Sequence, residues 1–214
     1  MNTLKLLATF LAIVPLQIAT VASAAGIDMD NPRRSLGREG DVRIDAQLLR
    51  ETVSPGTPIG VTFQIQNLSP STVAIANEET DASFDDESRT ITVVVGSEIP
   101  PDGNMPRVEL IAPGETRLFR AAAMPILNGA TLRSQHGRIP RFVQVKVAIL
   151  RNLSAFLPLI ERQQTKNRPR LSDQQFDQWL ESNDTIFLNA VPVEFVRRTA
   201  DGDAERHGPS GGRN

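Results

Sequence analysis

Cysteine and tyrosine are both absent from the 214 residues, tryptophan occurs once and histidine twice. Without cysteine there are no disulfides, no lipid attachment through an N-terminal cysteine, no thiolate zinc site and no cysteine nucleophile. Small secreted eukaryotic domains usually carry disulfides, so the absence favours a bacterial export route and a core large enough to stand alone. Aromatic residues make up only 5%, which leaves Val, Ile, Leu and Phe to build that core. Basic excess is missing too. The formal charge is −2, which gives no reason to expect nucleic acid as a partner.

Long apolar runs are missing except at the start. Lys5 supplies a positive charge, Leu6 to Thr20 is apolar apart from Pro15 and Gln17, and Ala22-Ser23-Ala24 follows. A short charged region, an apolar stretch and small residues at −3 and −1 describe a cleavable signal peptide over 1–24. A membrane-crossing helix needs about 20 unbroken apolar residues, more than this run offers, so an uncleaved anchor is the weaker reading. Loss of Lys5 makes the processed chain one unit more negative. Residues 25–40 are polar, with Pro32, Gly37 and Gly40 and no period, and read as a flexible leader. Residues 199–214 are again polar and glycine-rich, too poor in apolar groups to offset their ordering entropy. The expected address is the bacterial periplasm or the exterior, with no transmembrane segment after signal removal.

Between these ends, period two dominates. Val42, Ile44, Ala46 and Leu48 alternate with polar residues, as do Ile59, Val61, Phe63 and Ile65. Alternation of this kind sets one face on a core and one in water. Shorter runs follow at Val73 and Ile75, at Ile91, Val93 and Val95, and from Thr116 to Ala122. Val143, Val145, Val147 and Ile149 form the clearest inward row. A last strand runs from Thr185 to Arg197, with a phase change near Pro192, which cannot donate to a ladder and marks a bulge or sheet edge. Ser54-Pro55-Gly56-Thr57 and Ala112-Pro113-Gly114-Glu115 place proline second and glycine third, the preference of a type II turn. About seven short strands with this punctuation predict an all-β, antiparallel two-sheet sandwich over 41–198.

A strand, then Pro55-Gly56-Thr57-Pro58, then a strand ending in Asn67, and later Leu110 to Thr116 before another strand, resembles bacterial immunoglobulin-like modules of the cell-adhesion-related kind. The resemblance spans roughly residues 41 to 150 and is superfamily-wide. It implies an immunoglobulin-like fold and a non-catalytic role as spacer, adhesion unit or binding domain, with no shared active site. One departure is plain. Such modules join their last two strands by a short hairpin, whereas here residues 151–183 intervene.

Long insertions are uncommon without a folding or functional reason. In this one, Ser172 with Gln175 three residues on forms a capping box, Leu171 and Phe176 suit a hydrophobic staple, and Phe176, Trp179 and Leu180 share one face at helical spacing. Leu153 to Ile160 is apolar and predicts a short helical turn or irregular packing. Either both pieces cover the sandwich, making Trp179 a core residue, or Phe156, Leu157 and Trp179 line a surface for an unknown periplasmic protein. The first reading is preferred, because exposed apolar patches are rare on soluble monomers. Lys166, Arg168 and Arg170 between the halves offer a basic loop for an acidic partner or anionic lipid, although three dispersed charges usually form a solvated turn.

Glu78, Glu79, Asp81, Asp85, Asp86 and Glu87 put six carboxylates within ten residues. Calcium takes several oxygen ligands, and Asp81, Asp85 and Asp86 are the candidates. The spacing lacks the Asp-x-Asp-x-Asp-Gly pattern, so a solvated acidic loop is the simpler expectation and no cofactor is predicted. His136 and His207 stand in polar segments without a motif around them. Neither a Gly-x-Ser-x-Gly elbow nor His-Glu-x-x-His is present. Asn67, Asn152 and Asn183 match the glycosylation acceptor pattern, incidentally in a bacterial route. The expected function is thus a non-catalytic binding or assembly module. An exported hydrolase with a loop-built site around His136 and the acidic segment, or a structural spacer or adhesion domain, are the alternatives.

Overall fold

The computed structural model describes residues 27–28, 30–76, 80–127, 138–163 and 168–196. The expected signal peptide, the tail beyond 199, and the histidines His136 and His207 lie outside them. Among the described residues strand makes up 46% and helix 12%, a mostly-β structure with antiparallel-rich sheets.

One sheet is fully antiparallel. It contains β1 (Arg34–Glu39), β2 (Val42–Leu48), β4 (Ile59–Asn67) and β9 (Thr116–Ala123), in the order β1-β2-β4-β9. The second sheet runs β6 (Thr80–Asp85), β7 (Thr90–Val95), β10 (Phe142–Leu150), β5 (Val73–Ile75), β8 (Glu109–Ile111). Here β11 (Asn183–Phe187) and β12 (Val191–Pro192) also pair with β10. Two pairings depart from the antiparallel expectation. β7 lies parallel to β10, from Phe142 opposite Thr90 to Val147 opposite Val95. β13 (Glu194–Phe195) lies parallel to β3 (Thr52–Val53).

The inward rows are those that the alternation marks. Val61, Phe63 and Ile65 from the first sheet and Ile91, Val93, Val95, Val145 and Val147 from the second are all 0–1% exposed and share one core. Phe63 and Phe119, partners on the neighbouring strands β4 and β9, stack within it at 5.2 Å. Each such aliphatic side chain contributes about 1.5–3 kcal/mol by leaving water, so this row of contacts is the main source of stability.

Two expectations need correction. Within the presumed leader, Arg34–Glu39 is a strand in full register with β2. Its inward residues are Ser35 and Gly37, and a Cβ on Gly37 would come within 3.0 Å of Ile186 and Leu188. Space there admits only small residues, so the apolar alternation that would signal a strand is missing. The single last strand is instead three pieces, β11, β12 and β13, because Pro192 ends the pairing with β10 and the chain crosses to β3.

The insertion folds as α1 (Leu157–Arg162) and α2 (Asp173–Ser182). Ser172 caps α2 with the reciprocal bonds of a capping box to Gln175. Both helices rest on a second apolar cluster that includes Ala74, Met105, Leu150, Phe156 and Trp179. Leu150 and Ala74 are partners on neighbouring strands of the second sheet, so the insertion covers that end of the sheet. Leu180, expected on the buried face, is 44% exposed. It lies one position past Trp179, a turn of about 100° that carries it to the rim of the face.

Candidate functional site

The side chains proposed for partner binding divide sharply. Phe156 and Trp179 are 0% exposed and meet edge to face at 5.5 Å. The indole Nε1 of Trp179 donates to the Ser97 carbonyl at 3.1 Å. Both are core residues and cannot meet a partner while the cover is in place. Leu157 is 47% exposed at the start of α1. Arg168 and Arg170 are exposed, and Arg170 bridges to Asn104. Lys166 lies outside the described residues.

The acidic candidates do not converge. Asp81 stands opposite Val94 and Asp85 opposite Thr90 on the β6–β7 ladder. Four strand residues separate them by about 13 Å, whereas calcium gathers its oxygens within about 2.6 Å. Asp85 closes its own turn, accepting from Ser88 Oγ at 2.6 Å and from the Glu87 amide at 3.0 Å. Those bonds, led by Ser88, hold its pKa below the ordinary value. Asp86 is exposed in the same turn. Among the described residues, no three acidic or histidine side chains approach closely enough to hold a metal; Glu78 and Glu79 lie outside them. Asn67 is equally committed. It is fully buried, its amide donating to Ser71 and Ile111 carbonyls and its Oδ1 accepting from Ser69.

A different group of residues does converge, where β7 gives way to the loop through Ile99. A cleft of 640 Å³ opens between Asp81 and Val94 on the strands and Gly96, Glu98 and Ile99 on the loop. Lys146, on the outward row of β10 beside Val94, places its ammonium 2.8 Å from Glu98 Oε1 and 2.9 Å from Oε2. Thr185 on β11 donates its hydroxyl to the same carboxylate. Burial alone would raise the Glu98 pKa, but the bonds from Lys146 and Thr185 outweigh it and hold the group below its ordinary 4.5. A carboxylate held in this way stays ionised at neutral pH and is a weak proton acceptor. What it supplies is a fixed negative charge and a rigid wall.

The cleft wall is also the anchor of the insertion. Gly96 sits at φ 91 with the Ala148 carbonyl 2.7 Å from where a Cβ would stand, a conformation and a space that admit only glycine. Next to it, the Ser97 carbonyl takes both the Trp179 indole and, at 2.9 Å, the Asn183 amide. Phe187 lies beyond Lys146, 56% exposed, with the ammonium 5.4 Å from its ring centre. Sequence reasoning missed this site because Glu98, Lys146 and Thr185 come from three distant segments without a motif. The only signal was a lysine on the outward row of the strongest strand.

No known protein family, curated protein or solved structure matches this chain. Among the described residues, no helix is long and apolar enough to cross a membrane.

Proposed function

We propose that the chain is an exported, non-catalytic binding module of the bacterial periplasm, with an immunoglobulin-like sandwich as its scaffold. The apolar N-terminal run with its small-residue cleavage site supports the address. Two facing sheets with a shared core support the scaffold. The observation that carries the binding role is the cleft beside Glu98, where polar groups are already paired and an exposed Ile99 stands at the mouth. Pre-paired groups lose little freedom when a partner docks, which favours recognition over proton transfer.

The partner is a protein loop presenting an apolar side chain to Ile99 and Val94. A photo-crosslinking residue at Ile99 in the exported protein should yield a specific adduct, and the same residue at Leu180 should not. Equal adducts at both positions, or none at Ile99, would remove the cleft from consideration. Mass analysis of the exported protein should show an N-terminus at Ala25, and an intact Met1 would refute the address.

A further inference from the structure

The outward face of the four-stranded sheet carries a charge pattern that the fold needs only in part. Its strands present Arg34 and Arg38 on β1, Arg43 on β2 and Arg120 on β9, against one carboxylate, Asp45. The intervening β4 offers Thr62, Gln64 and Gln66, which are uncharged. Asp45 is 3% exposed and fully engaged. Arg34 Nη2 reaches it at 2.8 Å, Arg43 Nε at 3.3 Å and Gln64 Nε2 at 3.2 Å. Arg38 is left out of this network. Among the described residues its guanidinium makes one bond, from Nε to the Gly40 carbonyl.

Arg38 stands directly opposite Arg43 in the β1–β2 register. Like charges in direct cross-strand opposition destabilise a sheet; Asp45 offsets the charge of Arg43, whereas Arg38 makes no ion pair among the described residues and is the position left without a folding gain. Beside the pair lies a hollow of 310 Å³ lined by Leu36, Gly37, Arg38 and Arg43. Leu36 is 39% exposed there. Two planar guanidiniums around a small hollow match the oxygens of an anion.

We infer that the Arg38–Arg43 pair is a docking site for a carboxylate side chain of an acidic polypeptide segment, with Leu36 receiving the apolar group next to it. Charge complementarity selects the acidic occupant. The surroundings select a short segment over an extended polyanion or a membrane. Asp41 stands beside the pair at the hairpin tip and is exposed, Glu39 belongs to the other face of β1, opposite Val42, and the whole chain is net negative. An anionic plane laid over the hairpin would meet the exposed Asp41 and a chain of net negative charge, while a single peptide side chain enters the hollow beside Asp41.

The test is fluorescence anisotropy of a dye-labelled oligoglutamate peptide at low salt, with the full exported chain. Arg38→Gln/Arg43→Gln should weaken binding at least about tenfold, the value of one lost charge-assisted bond. Arg138→Gln/Arg141→Gln removes the same charge ahead of β10 and should leave binding unchanged. Arg38→Gln alone should weaken binding while leaving the melting temperature unchanged or higher, since it relieves the opposed charges; this variant carries the test if the double variant does not fold. Absent binding by the native chain, equal weakening in both double variants, or a lowered melting temperature for Arg38→Gln would each overturn the inference. So would cosedimentation with phosphatidylglycerol vesicles without binding of the peptide.

Discussion

Replacing Gly96 with alanine tests the link between cleft, sheet and helical cover in a single residue. Gly96 sits at φ 91, where an L side chain costs about 1–3 kcal/mol in backbone strain. A Cβ there would stand 2.7 Å from the Ala148 carbonyl and 3.3 Å from the Ala148 Cβ. Both belong to the central strand, which cannot retreat, so overpacking adds about 1–3 kcal/mol. Gly96→Ala should therefore cost about 2–6 kcal/mol in urea unfolding, a large part of the stability of a typical domain. Gly56→Ala is the control: its φ is 68 and nothing lies within 4 Å of its Cβ, so only the backbone strain of about 1–3 kcal/mol remains. Trp179 is the chain's one tryptophan, and its indole is bonded to the next residue, Ser97. If the strain pushes the loop off Ala148, the native-state emission of Gly96→Ala should shift to the red. Equal costs for the two substitutions would refute the argument. So would a Gly96→Ala emission matching the native chain together with a cost below about 1 kcal/mol.

The other predictions concern single contacts. Asp45→Ala should cost about 3 kcal/mol in thermal unfolding, the lower end for removing one partner of a buried ion network, because Arg43 is 40% exposed and can turn to water; no measurable loss would show that network to be dispensable. Ser172→Ala removes the capping box of α2 and should lower stability by about 1 kcal/mol, read from the denaturant midpoint of Trp179 emission. Glu98 has a depressed pKa in the folded state, so its stabilisation is present above its unfolded value and is lost as pH falls through the folded one. Glu98→Gln should flatten that acid limb of the stability profile, measured by thermal unfolding from neutral pH downwards, and an unchanged limb would reject the role assigned to the Lys146 and Thr185 bonds.

The parts of the fold legible from sequence are those in which one residue pattern meets one environment. Ile59 to Ile65 and Val143 to Val147 alternate because one face is buried and the other is partly open to water, and their strands are where the period sets them. The α2 cap was legible because Ser172 and Gln175 need nothing beyond each other. Legibility failed where a third element sets the residue type. β1 carries Gly37 inward because Ile186 and Leu188 fill the space, and Ser35 inward where its hydroxyl donates to the Asn189 carbonyl, constraints written some 150 residues away. Pairing direction was equally hidden, since side-chain alternation is the same in parallel and antiparallel strands, and β7 with β10 proved parallel.

The same reasoning explains why the cleft was invisible and the insertion only half read. Phe156 and Trp179 look alike on a helical wheel whether they face a sheet or a partner, and only the position of Ala74, Met105 and Leu150 decides between these. Once the cover is seated, its tether at Ser97 fixes the backbone of the loop whose side chains form the cleft wall. The insertion then stiffens the cleft wall from outside it: it holds Ser97, Ser97 holds its neighbour Glu98 in place, and Glu98 is clamped from the sheet by Lys146. A helix that packs and a loop that lines the cleft are therefore two ends of one arrangement. The apolar surface that the insertion hides is what makes the polar cleft rigid.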